Sequence, residues 1–122
     1  MNKRILVVYD SPAALSLLED ILSDLNYDVT TAESGIEGCR QVGAAKFNLI
    51  ITDLHMPGMD GIEFVKHLKS VPNCKFVPIL MLSSEESKAK IAEAKMMGIS
   101  TFLSKPIEEG RLKAIMQIVL GP

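Results

Sequence analysis

Five short apolar runs alternate with five longer stretches of helical character along the whole chain. The runs are rich in β-branched residues and too short for helices, so they are predicted to be buried strands, the second being the most exposed. They lie at residues 5–8, 29–32, 49–53, 77–82 and 100–104. Buried strands joined through helices indicate a parallel sheet with right-handed crossovers. The sequence therefore predicts a single α/β domain.

Capping residues predict where several of the helices begin. Ser11 and Pro12 provide an N-cap followed by proline at the first helical position. Asp60 and Glu63 have the spacing of a capping box at the start of the third helix. Ser84 is the expected N-cap of the fourth helix. The predicted helices cover about 12–25, 34–45, 60–70, 85–97 and 108–120.

Composition excludes several classes of function. The 122 residues carry a formal net charge of −2 and no basic block, so direct nucleic-acid binding is not expected. No apolar run is long enough to span a bilayer, and no membrane association is expected. Cys39 and Cys74 have neither CxxC nor metal-site spacing, so we expect free thiols in a reducing cytoplasm.

Four polar residues lie at the carboxyl ends of four of the predicted strands. Asp10 follows the first strand, Asp53 ends the third, and Ser83 and Lys105 follow the fourth and fifth. Parallel strands end at one edge of a sheet, where open α/β sheets bind their ligands. Each residue could instead have a local role, such as a helix cap or a solvated loop charge. The sequence predicts that two acids, a hydroxyl and an ammonium meet at this edge.

Several motifs together resemble the receiver domain of two-component response regulators, and in particular the chemotaxis regulators. These motifs are Asp10 before Ser-Pro, the D-x-x-M-P-x-M-D-G string from Asp53 to Gly61, the strand-4 hydroxyl and a Lys-Pro dipeptide. The resemblance covers about residues 3–120. It implies one receiver domain over residues 1–122, with a flavodoxin-like (βα)5 fold. The implied sheet is doubly wound and five-stranded, with strand order 2-1-3-4-5.

The resemblance also implies a phosphoacceptor site. Asp53 would take a phosphoryl group from a sensor histidine kinase or a phosphotransfer protein. Asp10, Asp53 and the backbone carbonyl of His55 would bind Mg²⁺. Elementary chemistry agrees, because phosphoryl transfer needs positioning and charge neutralisation, and oxygen ligands suit Mg²⁺. The domain would catalyse its own phosphorylation and dephosphorylation without being a conventional turnover enzyme.

Further residues are implied to complete the switch. Lys105 and Ser83 would contact the phosphoryl oxygens, and Phe102 would change rotamer together with Ser83. A cis peptide between Lys105 and Pro106 would aim the lysine inward. The signal would leave through helix 4, strand 5 and helix 5, towards a downstream effector protein or an attached output domain. This face would carry Lys88, Lys90, Lys95, Met96 and Met97.

Tyr9 departs from the family pattern, in which two adjacent acids end the first strand. One lost charge at about 6 Å is worth roughly 3 kcal/mol before screening, so weaker Mg²⁺ binding is expected. The tyrosine hydroxyl could bond a water, Asp10 or the phosphoryl group, or the ring could pack at the mouth of the cleft. Tyr9 also favours the alternative of a degenerate receiver, which binds proteins without being phosphorylated.

Two enzyme or carrier classes with related topology fit poorly. A haloacid-dehalogenase-like phosphatase requires an acid two positions after the nucleophile, where this chain has His55. A flavin carrier requires a phosphate-cradling loop after the first strand, and residues 9–12 are acidic instead. His55 and Glu85 lie two positions after Asp53 and Ser83, where the family places side chains beside the phosphoryl group. An exposed loop position is the expectation for His55.

Overall fold

A five-stranded parallel sheet in the order β2-β1-β3-β4-β5 forms the centre of the fold in the computed structural model, which describes residues 2–121. The strands are β1 (Arg4–Val8), β2 (Asp28–Ala32), β3 (Leu49–Asp53), β4 (Ile79–Ser83) and β5 (Thr101–Ser104). This architecture confirms the predicted doubly wound α/β fold and its strand order.

Each strand is followed by a helix. The helices are α1 (Pro12–Asp24), α2 (Gly35–Ala44), α3 (Gly61–Ser70), α4 (Lys88–Met96) and α5 (Glu109–Leu120), with a 3₁₀ turn at Pro72–Cys74. None of the helices within residues 2–121 has the length and apolar character needed to cross a membrane.

Two apolar layers bury the sheet on both faces. Alternate residues of β1 point to opposite sides, as the two-residue period of a strand requires. Leu6 and Val8 pack in the layer beneath α2 and α3, whereas Ile5 and Val7 pack in the layer beneath α1 and α5. Burial on both sides explains why the strands read as continuous apolar runs. The edge strand β2 is only partly buried, as expected.

The start of α4 corrects one prediction, because its N-cap is Ser87 rather than Ser84. Ser87 Oγ accepts the N–H of Lys90 at 3.4 Å. The carboxylate of Glu85 accepts the N–H groups of Glu86 and Ser87, each at 3.0 Å. These bonds satisfy the backbone in a turn, so the helix begins three residues later than predicted.

Strand β4 also begins later than predicted, at Ile79 instead of residue 77. Pro78 has no N–H to give to a ladder, which excludes it from the interior of a central strand. Its carbonyl oxygen still accepts the N–H of Ile50 at 3.1 Å, and this bond precedes the pairing of β4 with β3.

The capping box at the start of α3 forms as predicted. Asp60 Oδ1 accepts the N–H of Glu63 at 2.9 Å, and Glu63 Oε1 accepts the N–H of Asp60 at 3.4 Å. This double cap fixes the point at which the chain turns from the loop after β3 into the helix.

Candidate functional site

Asp53 is a nearly buried carboxylate at the carboxyl end of the central strand β3. Its residue is 5% exposed. Oδ1 accepts the N–H of Leu54 at 2.7 Å and that of His55 at 3.4 Å. Oδ2 accepts a hydrogen bond from Lys105 Nζ at 2.9 Å. Hydrogen-bond donors therefore contact both carboxylate oxygens and fix the orientation of the Asp53 side chain.

Lys105 reaches Asp53 from the loop after β5. Its backbone N–H donates to Ser83 O at 2.9 Å, and its peptide bond with Pro106 is cis. The sequence predicted both this isomer and the inward direction of the side chain. The structure thus brings together two of the predicted site residues that are 52 positions apart.

Ser83 ends β4 and is completely buried. Its Oγ accepts the N–H of Glu85 at 3.0 Å, which ties the hydroxyl to the loop before α4. Because a hydroxyl can accept and donate at once, its O–H proton remains for another acceptor. Ser83 therefore lies at the expected edge of the sheet and connects it to the loop that leads to α4.

Tyr9 is buried beneath the ammonium of Lys105. Only 2% of the residue is exposed, and Lys105 Nζ lies 4.7 Å from the ring centroid. The hydroxyl donates to Leu82 O at 3.4 Å. Burial, with a smaller contribution from the charge of Asp53, raises the pKa of Tyr9 far above its usual value. Of the alternatives left open by the sequence, the structure favours a packed ring, although it lies inside the fold and not at the mouth of the cleft.

Asp10 lies exposed at the same edge of the sheet. Val8 pairs with Thr52, so the residues that follow β1 and β3 emerge side by side. An open cavity of about 440 Å³ there is lined by Asp10, His55, Met56, Pro57, Gly58 and Asp60. Asp10 and the loop that carries His55 therefore face the same opening.

The predicted oxygen ligands suit Mg²⁺ by their chemistry. Within residues 2–121 no three His, Cys, Asp or Glu side chains are grouped so as to hold a metal. The predicted ligands are instead the carboxylates of Asp10 and Asp53 and the His55 carbonyl. Magnesium usually takes one or two carboxylates and keeps several waters, so this sparse set suits it better than a transition metal.

A contact between His55 and Glu85 joins the loop after β3 to the loop after β4. His55 Nε2 lies 3.0 Å from Glu85 Oε1, although over half of the histidine side chain is exposed. The N–H groups of Ser87 and Glu86 and the nearby His55 ring lower the pKa of Glu85. The sequence predicted the exposure of His55 but not this partner; the only signal was their equal offset from Asp53 and Ser83.

Gly61 ends the motif that begins at Asp53, but the sequence analysis assigned it no role in the site. A β-carbon at this position would overlap the carbonyl oxygen of Asp53 and lie 2.8 Å from Leu54 Cα. The Gly61 N–H donates to Leu54 O at 2.8 Å. The absence of a side chain lets the start of α3 pack directly against the end of β3 that carries Asp53. The Asp-Gly pair at the end of the motif was the available signal.

Within the predicted output face, helix α4 is loosely packed against the core. Phe102 is half-buried on β5, pairs in register with Met81 and packs against the layer beneath α2 and α3. Ala94 is the only fully buried residue of α4. Met96 is 87% exposed, whereas Met97 packs against the core.

Comparison with known proteins places these features in a family. A family model described as the response regulator receiver domain matches residues 5–117. The chemotaxis protein CheY1 of Helicobacter pylori is 36% identical to this chain, over 97% of each sequence.

Solved structures show the same fold. The chemotaxis protein CheY4 of Vibrio cholerae superimposes with a TM-score of 0.92 and 37% identity, over 98% of this chain and 99% of that one. The receiver domain of the sensor histidine kinase PA1611 of Pseudomonas aeruginosa superimposes with a TM-score of 0.91 and 26% identity, over the whole of both chains. That structure is described with a magnesium ion in its active-site cleft.

Proposed function

Because this chain belongs to the response regulator receiver domain family, we propose that Asp53 accepts a phosphoryl group from the phosphohistidine of a sensor kinase or phosphotransfer protein. The observation that carries the proposal is the 2.9 Å contact between Lys105 Nζ and Asp53 Oδ2, made by a carboxylate that is almost entirely buried. Residues 1–122 constitute one receiver domain in this proposal.

The reaction transfers a phosphoryl group from an imidazole nitrogen of the donor to a carboxylate oxygen of Asp53. A carboxylate oxygen of Asp53 attacks phosphorus, the P–N bond to the donor imidazole breaks, and its electron pair stays on the departing ring nitrogen. The product is an acyl phosphate on Asp53. The negative charge of the attacking group and of the phosphoryl oxygens must be neutralised for this approach.

Lys105 supplies part of that neutralisation from within the chain. Its ammonium already contacts Asp53, and it is placed to bond a phosphoryl oxygen once the acyl phosphate forms. Asp10, Asp53 and the His55 carbonyl are the groups that would hold Mg²⁺, which adds positive charge at the phosphoryl oxygens when bound. The backbone N–H groups of Leu54 and His55 orient the nucleophile.

Ser83 converts the new charge into a movement of the loop before α4. Its oxygen now holds the N–H of Glu85, and its O–H can donate to a phosphoryl oxygen. A shift of Ser83 towards Asp53 carries residues 84–87 with it, and Phe102 changes its rotamer in response. The surface of α4, β5 and α5 then presents a different shape to an effector protein or an attached output domain.

Intact-mass measurement after incubation with acetyl phosphate and Mg²⁺ tests this function. We expect the mass of one phosphoryl group to be added, and Asp53→Asn to abolish the addition. Asp24→Asn is the matched control, because this exposed acid ends α1 and lies outside the site. Chelation of the metal should also prevent the gain. An unmodified wild-type protein would refute the proposal.

Tyr9 supports a second candidate, a degenerate receiver that binds its partners without phosphorylation. The buried ring stands where the family pattern has an acid, so one charge near the cation is missing. This function predicts no gain in mass under the same conditions. It also predicts that Asp53→Asn leaves partner binding unchanged.

A further inference from the structure

Tyr9, Lys105 and Asp53 form a stack in which the lysine ammonium lies between an aromatic face and a carboxylate. Lys105 Nζ is 4.7 Å from the centroid of the Tyr9 ring and 2.9 Å from Asp53 Oδ2. We propose that Tyr9 is a positioning residue, whose ring face holds the Lys105 ammonium at the phosphoryl-transfer site. This inference rests on the proposed phosphoacceptor role of Asp53.

The ring is well fixed for this purpose. Tyr9 packs in the layer beneath α1 and α5 with Leu18, Leu82 and Leu103. Its hydroxyl is tied to Leu82 O of the neighbouring strand β4. A ring held at its edge by packing and at its tip by a hydrogen bond keeps one face towards Lys105. A cation within about 6 Å of such a face is attracted by the electron density above the ring.

The neutral ring of Tyr9 also affects which carboxylates can pair with the Lys105 ammonium. An acid at position 9 would offer the ammonium a second carboxylate close to the first. Tyr9 offers attraction without a charge, and within residues 2–121 the ion-pair partner of Lys105 is Asp53. No second carboxylate at position 9 therefore competes with an acyl phosphate for the ammonium, while the ring restricts the rotamers of the long lysine side chain.

This role predicts a spectroscopic signature that does not depend on catalysis. Protons above an aromatic face resonate upfield because of the ring current. We expect the ε-methylene protons of Lys105, identified with Lys105→Arg, to be shifted upfield in the wild-type protein. Tyr9→Phe should keep the shift and Tyr9→Leu should remove it. Tyr27→Leu is the matched control, because the only other tyrosine lies in the loop before β2.

Kinetics with acetyl phosphate and Mg²⁺ test whether the ring acts through the lysine. We expect Tyr9→Leu to slow phosphorylation about tenfold, the change that a partly desolvated cation–π contact corresponds to. Tyr9→Phe, which keeps the aromatic ring, should be phosphorylated at close to the wild-type rate. In a Lys105→Met background the same Tyr9→Leu change should alter the rate by less than about twofold, since the group that it positions is gone.

The outcomes separate this inference from the proposed function. An unshifted Lys105 signal in the wild-type protein, or equal effects of Tyr9→Leu in both backgrounds, would overturn the positioning role. Failure of the wild-type protein to be phosphorylated would refute the proposed function of Asp53. The nuclear magnetic resonance shift of the Lys105 protons would still show whether the ring holds the lysine. Circular dichroism checks folding, and Tyr9→Met replaces Tyr9→Leu if the latter is unfolded.

Discussion

Gly61 lies so close to Asp53 that a β-carbon on the glycine would overlap the carbonyl oxygen of the acid. Helix α3 therefore begins in direct contact with the end of β3. This contact couples the position of α3 to the backbone of Asp53, and only a residue without a side chain permits it.

Gly61→Ala should destabilise the protein by about 1–3 kcal/mol, because the new methyl group must push α3 away from the backbone of Asp53 and Leu54. Urea unfolding followed by circular dichroism measures the change. Gly43→Ala is the matched control in α2, where nothing lies within 4 Å of an added β-carbon. It should stabilise the protein by about 0.5–1 kcal/mol through helix propensity. Equal effects of the two substitutions would contradict the close contact.

Ser87→Ala should cost about 1 kcal/mol of stability, since it removes the side-chain cap from the N–H of Lys90. Ser84→Ala provides the comparison, because Ser84 is exposed and lies outside the helix. Its effect should stay within about 0.5 kcal/mol. Both values come from the same denaturant titration. The reverse ranking would restore Ser84 as the cap and shift the start of α4.

The two cysteines should be alkylated slowly near neutral pH. Burial raises the pKa of the Cys39 and Cys74 thiols, so a smaller fraction is thiolate at any given pH than in an exposed cysteine. The rate of reaction with iodoacetamide should keep rising with pH beyond about 9.5, where an ordinary thiol with a pKa of about 8.5 is almost fully ionised and its rate levels off. Peptide mapping across this range measures each site.

Cys39 should react before Cys74 in that experiment. Cys39 is half-buried, with its Sγ 3.7 Å from Met59 Sδ, whereas Cys74 is 3% exposed. An ordinary peptide containing one cysteine is the reference. Reaction of both sites at the rate of the peptide near neutral pH would show that neither thiol is buried in solution.

Much of the fold was predictable because both faces of the sheet are covered. Residues 49–53, for example, are buried at every position. A strand buried on both faces can be recognised as a continuous apolar run, without an alternation of apolar and polar residues. The strand order came from the family resemblance, since apolar patterns alone do not state which strands are neighbours. The structure confirms that order and places Asp10, Asp53, Ser83 and Lys105 at one edge of the sheet.

The error at the start of α4 arose because a contact between distant segments overrides a local signal. Ser84 has the chemistry of a cap, but the carboxylate of Glu85 satisfies the following N–H groups and is itself held by His55, 30 residues earlier. The direction of Tyr9 was left open, although the two-residue period of β1 places it on the same side as Ile5 and Val7. What the period did not reveal was that a lysine from another loop covers its ring.

Helix α4 touches the interior through one fully buried residue, Ala94, whose side chain is a single methyl group. Displacing α4 would expose little apolar surface to water. The free-energy cost of that exposure is comparable to the net contribution of one or two hydrogen bonds. The least firmly anchored segment thus adjoins the loop where the hydroxyl of Ser83 is held. In the proposed switch, a movement of Ser83 would therefore act on a helix that little apolar burial holds in place.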